Sequence, residues 1–242
     1  LGKIELQGRD VAAFLNRVCI NRWDTLAVGR CRYGAMLRDD GMVFDDGTTS
    51  RLATAHYLMT TTTVNAVKVM QHLEMLLQAD WPELQVFATS VTEQWAAAAV
   101  AGPHARQVLA EIVDIDLSNA AFPFLAVGAC RVRTATGLVP ARLLRMSYSG
   151  ELAYEIHVPA DRGRAMWKAV LAAGAEFGIT PYGTEAMSTL RIENLEDIGP
   201  HYATTLSLWR ENLFARLDRV RALGLPGDSL LAISTSGNSP NV

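Results

Sequence analysis

Three groups of residues in this sequence have types and spacings that chemistry could use. The first is the carboxylate pair Asp45-Asp46, followed directly by Gly47. Adjacent side chains on a strand point to opposite faces, so if one acid meets solvent the other points inward. An inward carboxylate among apolar strands costs free energy unless something binds it. Spacing alone leaves an alternative, the commoner fate of charged residues: pairing stops at Val43 and both acids sit in a solvated loop. The second group is Glu155 in Ala153-Tyr154-Glu155-Ile156-His157. Alternation sets it opposite Tyr154 and Ile156, and read alone it lies on the solvent face of a half-buried strand. The third is Ser234-Thr235-Ser236-Gly237-Asn238-Ser239, with the hydroxyls and backbone N–H groups of a phosphate cradle but no helical sequence behind it. His56, His72, His104, His157 and His201 are scattered, and Cys19, Cys31 and Cys130 lack metal-ligand spacing.

The elements that must position these groups are legible in outline. Tyr33 to Leu37 and Met42 to Phe44 read as two strands joined by Arg38-Asp39-Asp40-Gly41, with Gly41 at a turn position that needs φ > 0. Arg9 to Val18 has the apolar spacing of an amphipathic helix, which Asp10 is placed to cap. His56 to Thr62 reads as a strand, and Val64 to Gln78 as a helix with Val64, Val67, Leu73 and Leu76 inward, broken by Trp81-Pro82. Strands are expected at Gln85 to Ser90 and Trp95 to Val100, followed by a helix with Pro103 near its first position. Arg131 to Arg133 and Ala141 to Ser147 flank a turn at Thr136-Gly137, and Ala153 to Val158 alternates as a strand. Asp161 to Phe177 carries a helical stripe of Ala165, Met166, Ala169, Val170 and Ala173. Hairpins mixed with helices, rather than regular βαβ units, predict an α+β fold with largely antiparallel sheets. No tandem repeat is evident.

Composition narrows the function classes. The chain has 242 residues, 50% hydrophobic and 19% charged, enough for a sizeable core. A net charge of −3 without a Lys/Arg run argues against nucleic-acid binding. The three cysteines read as reduced, mostly buried thiols of a cytoplasmic protein. No run approaches a membrane span, and no signal peptide is recognisable. Leu1 and Val242 read as cut ends.

Several long stretches resemble one family. Leu1 to Val18, Val28 to Gly47, His56 to Thr63, Ser147 to Pro159 and Ile179 to Met187 resemble the aminomethyltransferase family, and more closely the C-terminal region of the sarcosine oxidase alpha subunit. The resemblance covers residues 1 to 193. It implies two interleaved ferredoxin-like halves around a folate channel, without the family's C-terminal barrel and with a helical tail instead. It implies tetrahydrofolate as cofactor, Asp46 as the catalytic acid, and Glu155 as the carboxylate that holds the pterin. Tyr33 would join them, and Tyr148 and Gly150 would border the channel. The implied activity is one-carbon (aminomethyl or methylene) transfer that forms 5,10-methylenetetrahydrofolate. The donor would be an imine made by flavoprotein subunits of a sarcosine-oxidase-like complex, since no flavin or NAD motif occurs in this chain. Met187 stands where the glycine-cleavage branch carries arginine, which removes one clamp for folate, and Glu193 ends the resemblance.

The remainder reads differently. Residues 194–223 form an amphipathic helical pattern, with Tyr202, Leu206, Trp209, Leu213, Leu217 and Val220 on one stripe. They resemble the C-terminus of cyclopropane-fatty-acyl-phospholipid synthases. Residues 224–242 resemble a sugar-isomerase (SIS) fragment. The two changes of resemblance lead to the expectation of a spliced, recombined or artificially composed chain. The competing functions are a chimeric remnant that binds no folate, and a methyltransferase or phosphosugar-binding fragment.

Overall fold

In a computed structural model the placement of residues 1–187 is described. They fall into two units, residues 1–38 with 42–181 and residues 39–41 with 182–187. Expectations for Glu193, His201, Tyr202, the 194–223 helix and the 224–242 tail lie outside the described residues. In the smaller unit, Gly41 has φ +81°, as the turn requires, and residues 184–187 are helical.

The larger unit is α+β, with two antiparallel sheets. The first is built from β1 (Gly2–Gln7), β2 (Arg30–Leu37), β3 (Val43–Ala53), β4 (His56–Thr61) and β5 (Phe87–Ser90), in the order β2-β3-β4-β1-β5. The second contains β6 (Trp95–Ala101), β7 (Val127–Thr134), β8 (Gly137–Leu144) and β9 (Ala153–Pro159), in the order β6-β9-β8-β7. Helices α1 (Val11–Val18) and α2 (Ala66–Met75) accompany the first sheet; α3 (Ala105–Ala110) and α4 (Gly163–Ala173) accompany the second.

Each sheet buries one face under its helices. Ile4 and Leu6 of β1 and Tyr57 and Met59 of β4 pack with Phe14, Leu15, Val69 and Leu73 of the helices. Val132, Leu143, Tyr154 and Ile156 pack with Leu109, Met166 and Val170 on the other sheet. Complete burial of such side chains contributes roughly 1.5–3 kcal/mol each. These faces are the apolar halves of the alternation, so the polar halves look away from the helices.

Connectivity repeats. The order β1-α1-β2-β3-β4-α2 gives strand neighbours β2-β3-β4-β1; β6-α3-β7-β8-β9-α4 gives β7-β8-β9-β6. The first half adds β5 on the free side of β1. The sequence showed no repeat because the halves share connectivity and not residue identities.

Several local expectations change. The second strand of the hairpin does not stop at Phe44 but runs to Ala53, so Asp45 and Asp46 lie within the pairing with β2. This removes the solvated-loop alternative. Asp10 precedes α1, but its side chain makes no cap bond; its Oδ2 accepts the Gln85 N–H at 2.9 Å and ties the helix start to the approach of β5. Val64 and Val67 are 79% and 68% exposed. The buried stripe of α2 passes through Val69 and Leu73 and continues to Leu76. At about 100° per residue, Val67 falls on the side opposite Val69. Pro103 lies in the turn before α3, two residues ahead of its first residue. A close approach fixes the hairpin's position: a Cβ on Gly47 would overlap the Thr60 carbonyl oxygen, and one on Gly34, its partner across the ladder, would press on the Trp23 ring.

Candidate functional site

Register places the polar residues of the first sheet in one row. Ala35 pairs with Asp46, Tyr33 with Thr48 and Cys31 with Ser50; Ser50 also pairs with Leu58, Thr60 with Lys3, and Leu58 with Glu5. Directly paired residues share a face, so Tyr33, Asp46, Thr48, Thr60, Lys3 and Glu5 all stand on the face away from α1 and α2.

The second sheet presents the matching face. Across β9, Glu155 pairs with Ala99 on one side and Leu144 on the other, and His157 with Ala97 and Arg142. The two faces meet. Arg142 Nη1 donates to Glu5 Oε1 at 2.7 Å, and the Thr48 hydroxyl reaches Met146 Sδ at 3.6 Å. Cys31, Val127, Leu144 and Met146 form a buried apolar seam between them. On the central strands β1, β4 and β9 the polar half of the alternation is therefore turned toward the other sheet and largely withdrawn from water, as at Lys3, Thr60 and His157.

The carboxylate pair divides as strand geometry demands, with an assignment spacing could not supply. Asp45, 2% exposed, is the buried acid. It accepts the Thr62 backbone N–H and the Asn65 side-chain N–H, each at 3.1 Å, and so pins β3 to the corner between β4 and α2. Asp46 is half-buried on the inter-sheet face, and its Oδ2 accepts the Tyr33 hydroxyl at 2.6 Å. Both members of the pair have work, and only Asp46 stands toward the second sheet.

Glu155 confirms the expected alternation against Tyr154 and Ile156, which are fully buried on the helix side. Its surroundings differ from the expected solvent face. Its side chain is 19% exposed, and its Oε2 lies 3.2 Å from His157 Nε2. Exposed Ala97 and Ala99 flank it on β6, leaving room beside the carboxylate that larger side chains would fill. Lys3 is 5% exposed; burial lowers its pKa, and the charge of Glu155 works against that shift. Burial also pushes the Cys31 thiol up to about 11, with the Ser50 hydroxyl bond opposing and the Glu155 charge adding.

Tyr148 and Gly150 lie in the β8–β9 connection. Gly150 has φ +100° and its N–H donates to the Ser147 hydroxyl at 2.9 Å, so this is a built turn. Gly150 lines a pocket of about 310 Å³ with Phe124, Arg145, Ser147 and Leu152, whereas Tyr148, half-exposed, does not line it. The structure thus joins Tyr33 to Asp46 by a hydrogen bond, sets Glu155 on the facing sheet, and gives Gly150 a pocket at the end of β9.

Sequence reasoning missed Lys3, Glu5, Arg142 and His157. Arg142 bonds Glu5 and stacks on the Trp95 ring at 4.1 Å, and Glu5 Oε2 takes a second contact from His56 Nε2 at 3.1 Å. Burial would raise the Glu5 carboxyl, but the hydrogen bonds and charges of Arg142 and His56 prevail and hold it below its ordinary value. The signal was present in Lys3-Ile4-Glu5-Leu6, where charge and apolarity alternate, but alternation alone cannot tell an inter-sheet space from solvent. Among the described residues no cluster of three or more His, Cys, Asp or Glu could hold a metal ion, and no helix is long and apolar enough to cross a membrane.

Comparison with known proteins agrees with this architecture. The model of the GCVT N-terminal domain family matches residues 1–201. Sarcosine oxidase subunit alpha of Rhizobium meliloti (strain 1021) is 54% identical over 193 residues, covering 80% of this chain and 19% of that protein. Aminomethyltransferase of Bacillus subtilis (strain 168) is 31% identical over 193 residues, covering 80% of this chain and 51% of that protein. The chain thus spans about a fifth of the one relative and half of the other. The crystal structure of glycine cleavage system aminomethyltransferase T from Bartonella henselae superposes with a TM-score of 0.67 at 22% identity, over 79% of this chain and 48% of that one. That likeness is one of fold.

Proposed function

Because the chain belongs to the GCVT N-terminal domain family, we propose that it is a tetrahydrofolate-binding module for one-carbon transfer. One observation carries the reading: Asp46 and Glu155 stand on the two sheet faces that look toward each other. A flat, hydrogen-bonding pterin needs a carboxylate for its N–H edge and apolar walls for its faces. The residues present fit that need. Glu155 is a carboxylate between Ala99 and Leu144 across the two ladders, and Ala97 and Ala99 leave a flat apolar floor beside it.

Tetrahydrofolate, when bound, supplies the nitrogens that take up the one-carbon unit. The residues of the chain orient and stabilise. Glu155 would hold the pterin edge. Asp46, its carboxylate fixed by the Tyr33 hydroxyl, would lend negative charge to a cationic, iminium-like donor. A carboxylate already held in place spends no reorganisation on that task. Tyr148 and Gly150 would border the same channel. The donor is an imine formed by two-electron oxidation of an amine, a step that belongs to flavoprotein subunits outside this chain; transfer of its methylene carbon to the two folate nitrogens releases the remaining amine and gives 5,10-methylenetetrahydrofolate. The similarity to sarcosine oxidase subunit alpha supports that assignment of partner and donor.

Titration calorimetry with tetrahydrofolate tests the reading. The unsubstituted chain is expected to bind, and the double variant Asp46→Ala/Glu155→Ala to lose binding. Undiminished affinity in the double variant would remove both residues from the site.

A further inference from the structure

Beside Glu155 the structure buries an imidazole that the reading above leaves unused. His157 is 0% exposed. Its Nε2 lies 3.2 Å from Glu155 Oε2, while its Nδ1 is buried with no hydrogen-bond partner among the described residues. A proton on Nδ1 would be a buried donor with no acceptor, which is costly; a proton on Nε2 meets a carboxylate. The ring therefore carries its proton on Nε2 and donates to Glu155.

Strand pairing also sets neighbours on both sides of His157. Its cross-strand neighbours are Ala97 on β6 and Arg142 on β8. Arg142 is stacked on Trp95 at 4.1 Å and bonded to Glu5 of the first sheet at 2.7 Å, so the side chain beside His157 is anchored at two points. Glu155 has Lys3 within reach of its charge as well. A glutamate side chain has three torsions to freeze before it can receive a ligand, and a fixed hydrogen bond to one oxygen freezes them in advance.

We propose that His157 is a positioning residue for pterin recognition: its Nε2–H fixes one oxygen of Glu155, which aims the carboxylate into the space beside Ala99 to accept the amino and ring N–H donors of the pterin. The proposal rests on the reading of Glu155 as the pterin-holding acid. It goes further by naming what orients that acid and which part of the ligand feels it. A pterin lacking its 2-amino group offers Glu155 fewer donors, so its binding depends less on how the carboxylate is aimed.

The test compares His157→Leu and His157→Gln by calorimetry, each with tetrahydrofolate and with its 2-desamino analogue. Loss of the orienting bond in His157→Leu is expected to weaken tetrahydrofolate about tenfold and the analogue less than about twofold. His157→Gln, whose amide N–H can still reach Glu155, is expected to stay within about threefold of the unsubstituted chain for both ligands. Equal losses for the two ligands, or full tetrahydrofolate affinity in His157→Leu, would overturn the proposal. A second measurement needs neither ligand nor a folded leucine variant. Histidine 15N spectra of the ligand-free chain should show the Nε2–H tautomer for His157, with a signal that moves in Glu155→Gln. An Nδ1–H tautomer, or indifference to Glu155→Gln, would refute the contact. If the tautomer is as expected and the unsubstituted chain binds no tetrahydrofolate, the folate reading and the pterin target fail, while the His157 to Glu155 contact stands.

Discussion

Asp45 and Asp46 are adjacent, alike and expected to fail differently when removed. Asp45→Ala deletes two hydrogen bonds from a carboxylate that is 2% exposed, those from the Thr62 N–H and the Asn65 side chain. Bonds to a charged group contribute about 1.5–3 kcal/mol each. Thr62 is exposed and Asn65 half-buried, so water takes over part of the loss. The expected cost is therefore about 2–3 kcal/mol, below the sum of the two bonds. For a domain of this size that is a fall in Tm of roughly 4–12 °C. Asp45→Asn keeps an acceptor oxygen for one donor and should fall about half as far. Asp46→Ala loses its bond from the half-exposed Tyr33 hydroxyl, which water can replace, and should cost about 1 kcal/mol or less. Thermal melts by circular dichroism, beside tetrahydrofolate titrations of the same samples, separate the two roles. Asp45→Ala should melt early, and Asp46→Ala should melt near the unsubstituted chain yet lose ligand. Equal destabilisation by the two substitutions would refute the division of labour drawn from strand alternation.

Two further outcomes follow from the inter-sheet face and the buried thiols. Glu5 has its pKa depressed in the fold, so its pairing with Arg142 adds stability above the ordinary value of 4.5 that is lost as pH falls through the lower, folded value; Tm should drop below about pH 4.5, and Arg142→Met should make that drop shallower. A steeper drop in the variant would show that another acid governs it. Burial pushes Cys19 and Cys130 up to about 12 and Cys31 up to about 11, so at pH 8 a thiol reagent should label none of the three in the native chain and all three in denaturant, as read by mass spectrometry.

The central hairpin, the turn glycine Gly41 and the opposition of Glu155 to Tyr154 and Ile156 were legible because the strand period is two and turn residues are few in kind. Three things were not. Leu73 and Leu76 are buried as expected, but Val64 and Val67, apolar and helically spaced, are not: a short apolar run fits more than one phase of a helix, and packing set Val69 in their place. Asp45 and Asp46 had opposite faces in the sequence without a label for which face was covered by helices. His157 looked like one of five scattered histidines, because Glu155, two residues away, shares its face only once β9 is a strand, and Arg142 becomes its neighbour only through the pairing of β8 with β9. The resemblance supplied Asp46 and Glu155 where periodicity could not, and it did not supply Lys3, Glu5, Arg142 and His157 around them.

The repeated connectivity explains why the candidate site is polar at all. Each half, β1-α1-β2-β3-β4-α2 and β6-α3-β7-β8-β9-α4, puts its helices on one face of its sheet and leaves the other face bare. Facing two bare sheets together removes both from water, and apolar contact alone would close the space as a core. Here closure is partial. Cys31, Val127, Leu144 and Met146 seal one region, while Lys3, Glu5, Arg142, His157 and Glu155 occupy another. Charges partly withdrawn from water in this way stabilise less than packed hydrocarbon in the same place would, because their desolvation offsets much of their mutual attraction. A pairing of sheets selected for stability alone would replace them with packed hydrocarbon. Their placement beside Ala97 and Ala99, two exposed alanines on that face of β6, keeps a charged wall next to small side chains, and a polar, flat guest satisfies both at once.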